Sequence, residues 1–202
     1  MATLQGTSVD DTLNGGSGND SLNGGLGNDL LFGNAGNDTL NGADGSDVIF
    51  GGAGNDNLIG GRSGSPNAPQ GFFEDFLVGG SGSDTLNGFS PGRGTSFERD
   101  VLVGGGSVNS KGDITNISGD GLKDVFVLGD AKGSYYTSAG EKDFATILGF
   151  EKGIDQLQLS PTVNYKLQTA SVINKLDTLI FAELPGGNEL IAIVANVDLT
   201  TK

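Results

Sequence analysis

The sequence predicts an all-β chain: a solenoid of two short parallel sheets wound around a thin core over residues 1–128, followed by a β-rich cap over 129–202. Three observations carry this reading. Aspartate recurs in strict nine-residue steps at Asp11, Asp20, Asp29, Asp38, Asp47 and Asp56, and the residue two places after each is aliphatic. Glycine supplies 37 of the 202 residues, against a usual share of about 7%, and it clusters just ahead of each aspartate. A fixed short period marks a stack of equivalent units in place of a single globular core.

Written as G-G-x-G-x-D-x-U-x, with U aliphatic or aromatic, the unit resumes after three interruptions at Asp75, Asp84, Asp100 and Asp124. Its U position reads Leu4, Leu13, Leu22, Leu31, Leu40, Ile49, Leu58, Leu77, Leu86, Leu102 and Phe126. Each unit is expected to be a six-residue turn followed by a three-residue strand. The middle strand residue points one way and its neighbours the other, so U faces inward and positions seven and nine outward. Two units make one coil. Stacked coils then bury a row of U side chains, each contributing roughly 1.5–3 kcal/mol.

The interruptions, about 62–73, 89–99 and 106–123, are rich in Ser, Gly and Asn and carry Pro66, Pro69 and Pro91. They read as surface excursions, either tolerated insertions or loops for a surface ligand, with Phe72, Phe73 and Phe97 as the residues to watch. After Phe126 the nonapeptide stops. The runs Phe144-Ala-Thr-Ile-Leu-Gly-Phe, Gln156-Leu-Gln-Leu, Thr178-Leu-Ile-Phe-Ala and Leu190-Ile-Ala-Ile-Val-Ala-Asn-Val read as strands, with Pro185-Gly-Gly-Asn turning the last two into a hairpin. A solenoid needs such an end to hide its last layer.

The turn half carries the chemistry. Glycines let the chain reach positive φ and aim carbonyl oxygens at one point, where the aspartate adds charged oxygens. An all-oxygen donor set suits a hard cation, and calcium fits best because it takes six to eight oxygens in flexible geometry. A single Gly-Asn-Asp run is explained equally well by an Asx turn that only caps the backbone. Ten aspartates in register are not.

This pattern over residues 3–128 resembles the RTX, or hemolysin-type, calcium-binding repeat family. The resemblance implies a right-handed parallel β-roll, an RTX β-solenoid, with several Ca2+ ions held between turns two units apart by backbone carbonyls and aspartates. It implies one edge with Asp11, Asp29, Asp47, Asp75 and Asp100, and another with Asp20, Asp38, Asp56, Asp84 and Asp124. The backbone groups it implicates are those of Gly15, Gly16, Ser17 and Gly18; Gly24, Gly25, Leu26 and Gly27; Gly33, Asn34, Ala35 and Gly36; Gly42, Ala43, Asp44 and Gly45; Gly51, Gly52, Ala53 and Gly54; and Gly79, Gly80 and Gly82. Turns ending at Asp38 and Asp47 lack only the second glycine. The turn ending at Asp11 has Val9 where glycine belongs, and the three interrupted turns are expected not to keep the same carbonyl positions. The segments "DVFVLGD", "DFATILGFEKGIDQLQL" and "NELIAIV" resemble the C-terminal flank of such proteins, cyanobacterial ones above all, which implies type I export.

Composition narrows function. A net charge of −14 opposes binding to nucleic acid and anionic membranes. There is no Cys and no His, so thiolate sites and the commonest general base are absent. Neither H-E-x-x-H nor G-x-S-x-G occurs, and the repeats begin at residue 3, leaving no room ahead of them for an enzyme domain. No run of 18 apolar residues indicates a membrane span, and Met1-Ala-Thr-Leu-Gln-Gly lacks the features of a signal peptide. Position three reads Ser17, Leu26, Ala35, Asp44, Ala53 and Ser81, without the ranks of Thr that an ice-binding solenoid shows.

The outward positions are asymmetric. One sheet shows Thr12/Asn14, Leu30/Phe32, Val48/Phe50, Phe76/Val78 and Val101/Val103, eight of ten apolar; the other shows three of twelve. Such a face needs cover from the C-terminal region, an insert or a partner chain. The expectation is a non-enzymatic, calcium-binding, extracellular structural protein of a surface layer, matrix or fibre that assembles head-to-tail with itself. The alternative is a secreted monomeric module for adhesion or ligand binding.

Overall fold

The structure, a computed structural model, describes residues 1–62, 75–89, 99–108, 114–130, 133–134, 136, 144–170, 172 and 177–201. The described residues contain strands and turns and no helix. Alternate units fall into two sheets. The first stacks β1 (Thr3–Gln5), β3 (Ser21–Leu26), β5 (Thr39–Asp44), β7 (Asn57–Arg62), β9 (Thr85–Phe89), β13 (Val125–Val127) and β17 (Gln156–Gln158), all parallel. The second stacks β2 (Thr12–Ser17), β4 (Leu30–Ala35), β6 (Val48–Ala53), β8 (Phe76–Ser81), β10 (Arg99–Gly105) and β16 (Phe144–Leu148). It continues through β20 (Gly187–Val194), β19 (Asp177–Leu184) and β18 (Asn164–Ala170), where β19 runs antiparallel to both neighbours. This is the all-β parallel roll that the nine-residue period requires.

Register follows the period: Leu13 pairs with Leu31, Leu31 with Ile49, and Leu22 with Leu40. Because each U residue lies directly over another, the core is a ladder. Leu31, Leu40, Ile49, Leu58, Leu77, Leu86, Leu102 and Phe126 are fully buried, while Leu4 and Leu13 at the first coil are partly so. Ile147 of β16 and Leu157 of β17 extend the ladder beyond the last consensus unit.

One feature differs from the sequence expectation. Strands β2 to β8 are six residues long, because turn positions two and three also pair between coils, as in Gly16 with Asn34 and Ser17 with Ala35. The apolar outer face is partly covered within the chain, one of the covers expected: Phe50 is 3% exposed, Val78 2% and Val103 0%, while Leu30, Phe32, Val48, Phe76 and Val101 are half-buried. Part of that cover is the short hairpin of β11 (Ser107–Val108) and β12 (Ile114–Asn116), since a side chain at Gly106 would meet Val78 Cγ1 at 3.0 Å. Residues 63–74, 90–98 and 109–113, with Phe72, Phe73 and Phe97, lie outside the described residues.

Candidate metal centre

The period places the aspartates in two rows, one along each edge of the roll, and the rows are hydrogen-bonded ladders. From Asp29 onward each carboxylate accepts, through Oδ1, the backbone N–H of the aspartate one coil earlier. On one edge Asp11 donates to Asp29, Asp29 to Asp47 and Asp47 to Asp75, each at 2.8 Å, and Asp75 to Asp100 at 3.0 Å. On the other edge Asp20 donates to Asp38 and Asp38 to Asp56 at 2.7 Å, Asp56 to Asp84 at 2.8 Å, and Asp84 to Asp124 at 2.9 Å. Both rows match the edges expected from the sequence.

Only half of each inner carboxylate is used. The Oδ2 atoms of Asp20, Asp29, Asp38, Asp47, Asp56 and Asp84 are buried and have no hydrogen-bond partner. A buried, unpaired carboxylate oxygen is costly, so a whole row of them calls for a cation. Carbonyl oxygens stand beside them. A Cβ on Gly33 would lie 2.5 Å from both Asp38 Oδ2 and Gly51 O, and one on Gly51 would lie 2.5 Å from Asp56 Oδ2 and 2.6 Å from Gly79 O. Gly15, Gly24, Gly42 and Gly79 repeat the arrangement, and so does Gly60 ahead of the interrupted Asp75; at Gly88 the Tyr136 hydroxyl takes the carbonyl's place beside Asp100 Oδ2, and at Gly104 the Phe126 ring stands beside Asp124 Oδ2. All three interrupted turns keep the first glycine beside the aspartate; the neighbouring carbonyl persists before Asp75, contrary to expectation, and is replaced before Asp100 and Asp124, in line with it. A donor set of carboxylate and carbonyl oxygens, without nitrogen or sulfur, fits calcium.

The rest of each turn stacks by backbone bonds. Position two takes positive φ at Gly16, Gly25, Gly52 and Gly80, and also at Asn34 and Ala43, which occupy the left-handed region despite carrying a Cβ. Position four takes positive φ at Gly18, Gly27, Gly36, Gly45, Gly54 and Gly82. The N–H of Gly18 donates to Ala35 O at 2.6 Å, Gly27 to Asp44 O at 3.0 Å, and Gly36 to Ala53 O at 2.8 Å. Ser17 pairs with Ala35 and Leu26 with Asp44 in the same register.

Burial, reinforced by neighbouring carboxylates, pushes the Asp47, Asp84 and Asp124 carboxyls up to about 7 and Asp56 to about 6; Asp29 and Asp38 are raised for the same reasons. Backbone N–H bonds to the carboxylates oppose the shift without cancelling it. Near pH 7 Asp47, Asp84 and Asp124 are therefore poised between proton and cation.

Three contributors were invisible to the periodic reading. Position five forms a second ladder of opposite sense: Asn37 N–H donates to Asn19 Oδ1, Asn55 to Asn37 and Ser83 to Asn55, each at 2.9 Å. The repeated asparagine in that slot was the available signal. Asp155 prolongs one aspartate row by accepting Asp124 N–H at 3.0 Å, and its cue was the Asp155-Gln-Leu157 spacing. Tyr136 ends the other row: its hydroxyl donates to Asp100 Oδ2 at 2.6 Å, and the next coil places Ala145 opposite Asp100.

The RTX calcium-binding nonapeptide repeat model, in four copies, matches residues 5–40, 32–63 and 71–90. In these stretches the chain is similar to RTX repeats. The matched stretches contain the six unpaired Oδ2 atoms, those of Asp20, Asp29, Asp38, Asp47, Asp56 and Asp84, so the RTX match and the carboxylate geometry coincide. No curated protein matches the chain. Among solved structures, the solution structure of the AlgE6R3 subunit from the Azotobacter vinelandii mannuronan C5-epimerase is 20% identical, with 94% of this chain and 71% of that one covered, at a TM-score of 0.24.

Proposed function

We propose that this chain is a calcium-loaded, non-enzymatic structural module that folds on binding the ion and works outside the cell, in a surface layer, matrix or fibre. The observation that carries the reading is the row of buried Oδ2 atoms beside glycine carbonyls, which leaves anionic oxygen unpaired until a cation arrives. Calcium would be held by the carboxylates of Asp20 to Asp84 and by the turn carbonyls, and it would supply the charge neutralisation that lets the turns stack. Millimolar calcium, typical outside cells, suffices for modules of this kind. RTX repeats are typical of secreted bacterial proteins, and no helix among the described residues is long and apolar enough to cross a membrane. Equilibrium dialysis against calcium tests the reading: several ions should bind per chain, and uptake of none would end it.

Self-assembly belongs to the same proposal. Strands β1 and β2 are the outer strands of their sheets in these 202 residues, and Leu4 and Leu13 beneath them are only partly buried. Unpaired strand edges over an open apolar layer favour end-on stacking, and a head-to-tail contact propagates as a filament. Light scattering of the 202-residue chain in millimolar calcium should show size growing with concentration and collapsing with chelator; a strict monomer would remove assembly and leave calcium binding. The alternative, a monomeric ligand-binding module, draws on a groove of about 550 Å³ lined by Asn14, Asn34, the Phe32 and Phe50 rings and Val78. The two rings stack at 5.2 Å.

A further inference from the structure

In the regular coils, the position-four N–H of one turn donates to the position-three carbonyl of the next coil, and Gly54 to Ser81 O at 2.8 Å is the last such pair. One coil further on, that carbonyl is replaced by a side chain. Gly82 N–H donates at 2.8 Å to Oδ2 of Asp120, a residue of the third insert, whose Oδ1 accepts Leu122 N–H at 2.8 Å. A charged oxygen thus stands where the other coils present a neutral one. Within the same turn, Asp84 is 1% exposed and its Oδ2 has no hydrogen-bond partner. That oxygen faces the next coil, because a Cβ on Gly79 would meet both Asp84 Oδ2 and Gly104 O.

We propose that Asp120, with Asp84 Oδ2 and Gly104 O, forms a divalent-cation site of higher charge than the regular ones, and that this site is the first to fill. Among the described residues no three acidic side chains converge as a ready-made centre; here Asp120 adds a carboxylate to the unpaired Oδ2 and glycine carbonyl that the regular rungs also show. Neighbouring acids deepen the potential. Asp155 accepts Asp124 N–H at 3.0 Å and Glu151 N–H at 2.7 Å, and Glu151 Oε2 accepts Gly121 N–H at 2.7 Å. Of the two lysines near this cluster, Lys152 is directed elsewhere, its Nζ donating to Asp198 O and Thr201 O, each at 2.7 Å, while Lys123 follows Asp120 by three residues on the exposed insert. A carboxylate oxygen still has a lone pair for an ion after accepting one N–H, and replacing a dipole with a full charge raises affinity by about tenfold or more at an effective dielectric near 20. A chain loaded first at this end would order the last RTX coil before the rest.

The inference rests on the calcium reading of the repeats, and the experiment separates the two. The metal-stripped 202-residue chain is titrated with calcium chloride at pH 7.5 and low salt in a calorimeter, with circular dichroism at each end point. Wild type should take up one ion about tenfold more tightly than the others. Asp120→Asn should abolish that tight class and leave the remaining uptake unchanged, whereas Asp198→Asn, which removes an equal charge from the exposed tail, should leave the tight class intact. If Asp120→Asn does not regain its β signal at saturation, Asp120→Glu decides: the tight ion must survive there, and its loss from a folded chain overturns the site. A single class of equivalent ions, or a tight ion that survives Asp120→Asn, overturns the proposal and leaves the repeat reading standing; absence of any uptake by wild type overturns both.

Discussion

The Asp38 carboxylate accepts the backbone N–H of Asp20, eighteen residues earlier, at 2.7 Å through Oδ1, while its Oδ2 is buried and unpaired. One oxygen clips two coils together and the other waits for a cation. That division of labour recurs along both edges of the RTX region and separates two kinds of aspartate.

Asp38 and Asp100 should respond differently to truncation. Asp38→Ala removes an oxygen that only a cation satisfies, so the calcium midpoint for folding should rise severalfold. Asp100 is satisfied by protein groups, accepting Asp75 N–H and the Tyr136 hydroxyl. Asp100→Ala should instead cost about 1.5–3 kcal/mol of stability with a smaller change in calcium midpoint. Calcium titrations and urea melts of the two variants separate these effects, and equal midpoint shifts would contradict the distinction.

Ala43 holds φ at 79°, in the second turn position where the turns stacked on either side of it carry Gly25 and Gly61. A Cβ in that region costs roughly 1–2 kcal/mol, partly offset by the greater freedom of an unfolded glycine. Ala43→Gly should therefore stabilise the loaded protein by about 1 kcal/mol, read as a higher urea midpoint in millimolar calcium. A lower midpoint would show that the strain is compensated.

Protons should stand in for calcium. The folded-state carboxyls of Asp47, Asp84 and Asp124 lie at about 7 against 3.8 for the free group. The folded chain thus holds protons that the unfolded chain releases, so metal-free stability is greatest at the acid end and falls as pH rises from about 4 to about 7. In excess chelator the β signal should be larger at pH 5 than at pH 7.5. The reverse order would contradict the burial of the row.

Phe50 lies 3% exposed on the outer face and stacks on Phe32, whereas Asn41 occupies the equivalent place on the polar sheet. Phe50→Asp buries an unpaired charge among Val78 and Val103 and should unfold the chain or move its calcium midpoint strongly upward. Asn41→Asp should move it little. Similar midpoints would mean that the apolar face is not packed.

The ladder core, the two aspartate edges and the apolar outer face were legible because each depends on one residue type at a fixed spacing. Leu31 over Ile49 and Asp29 over Asp47 follow from the period alone. What escaped depends on partners the period does not relate. Asp155 stands 31 residues after Asp124, too far for a nine-residue count to register, and Tyr136 reaches Asp100 from a segment without repeats. Asp120 escaped for a related reason: a side chain from an insert took over a role that the consensus gives to backbone. The asparagine ladder was visible as residues but not as bonds, because its meaning appears only when coils are stacked 18 residues apart.

The coupling of ion binding to folding is tested most directly by far-ultraviolet circular dichroism of one sample at pH 7.5, first in excess chelator and then in millimolar calcium. With its buried Oδ2 rows ionised and unpaired, the chelated chain should lack the β signal, and calcium should restore it in one cooperative step. The same β signal in both conditions would mean that the roll stands without the ion, and the account would be wrong.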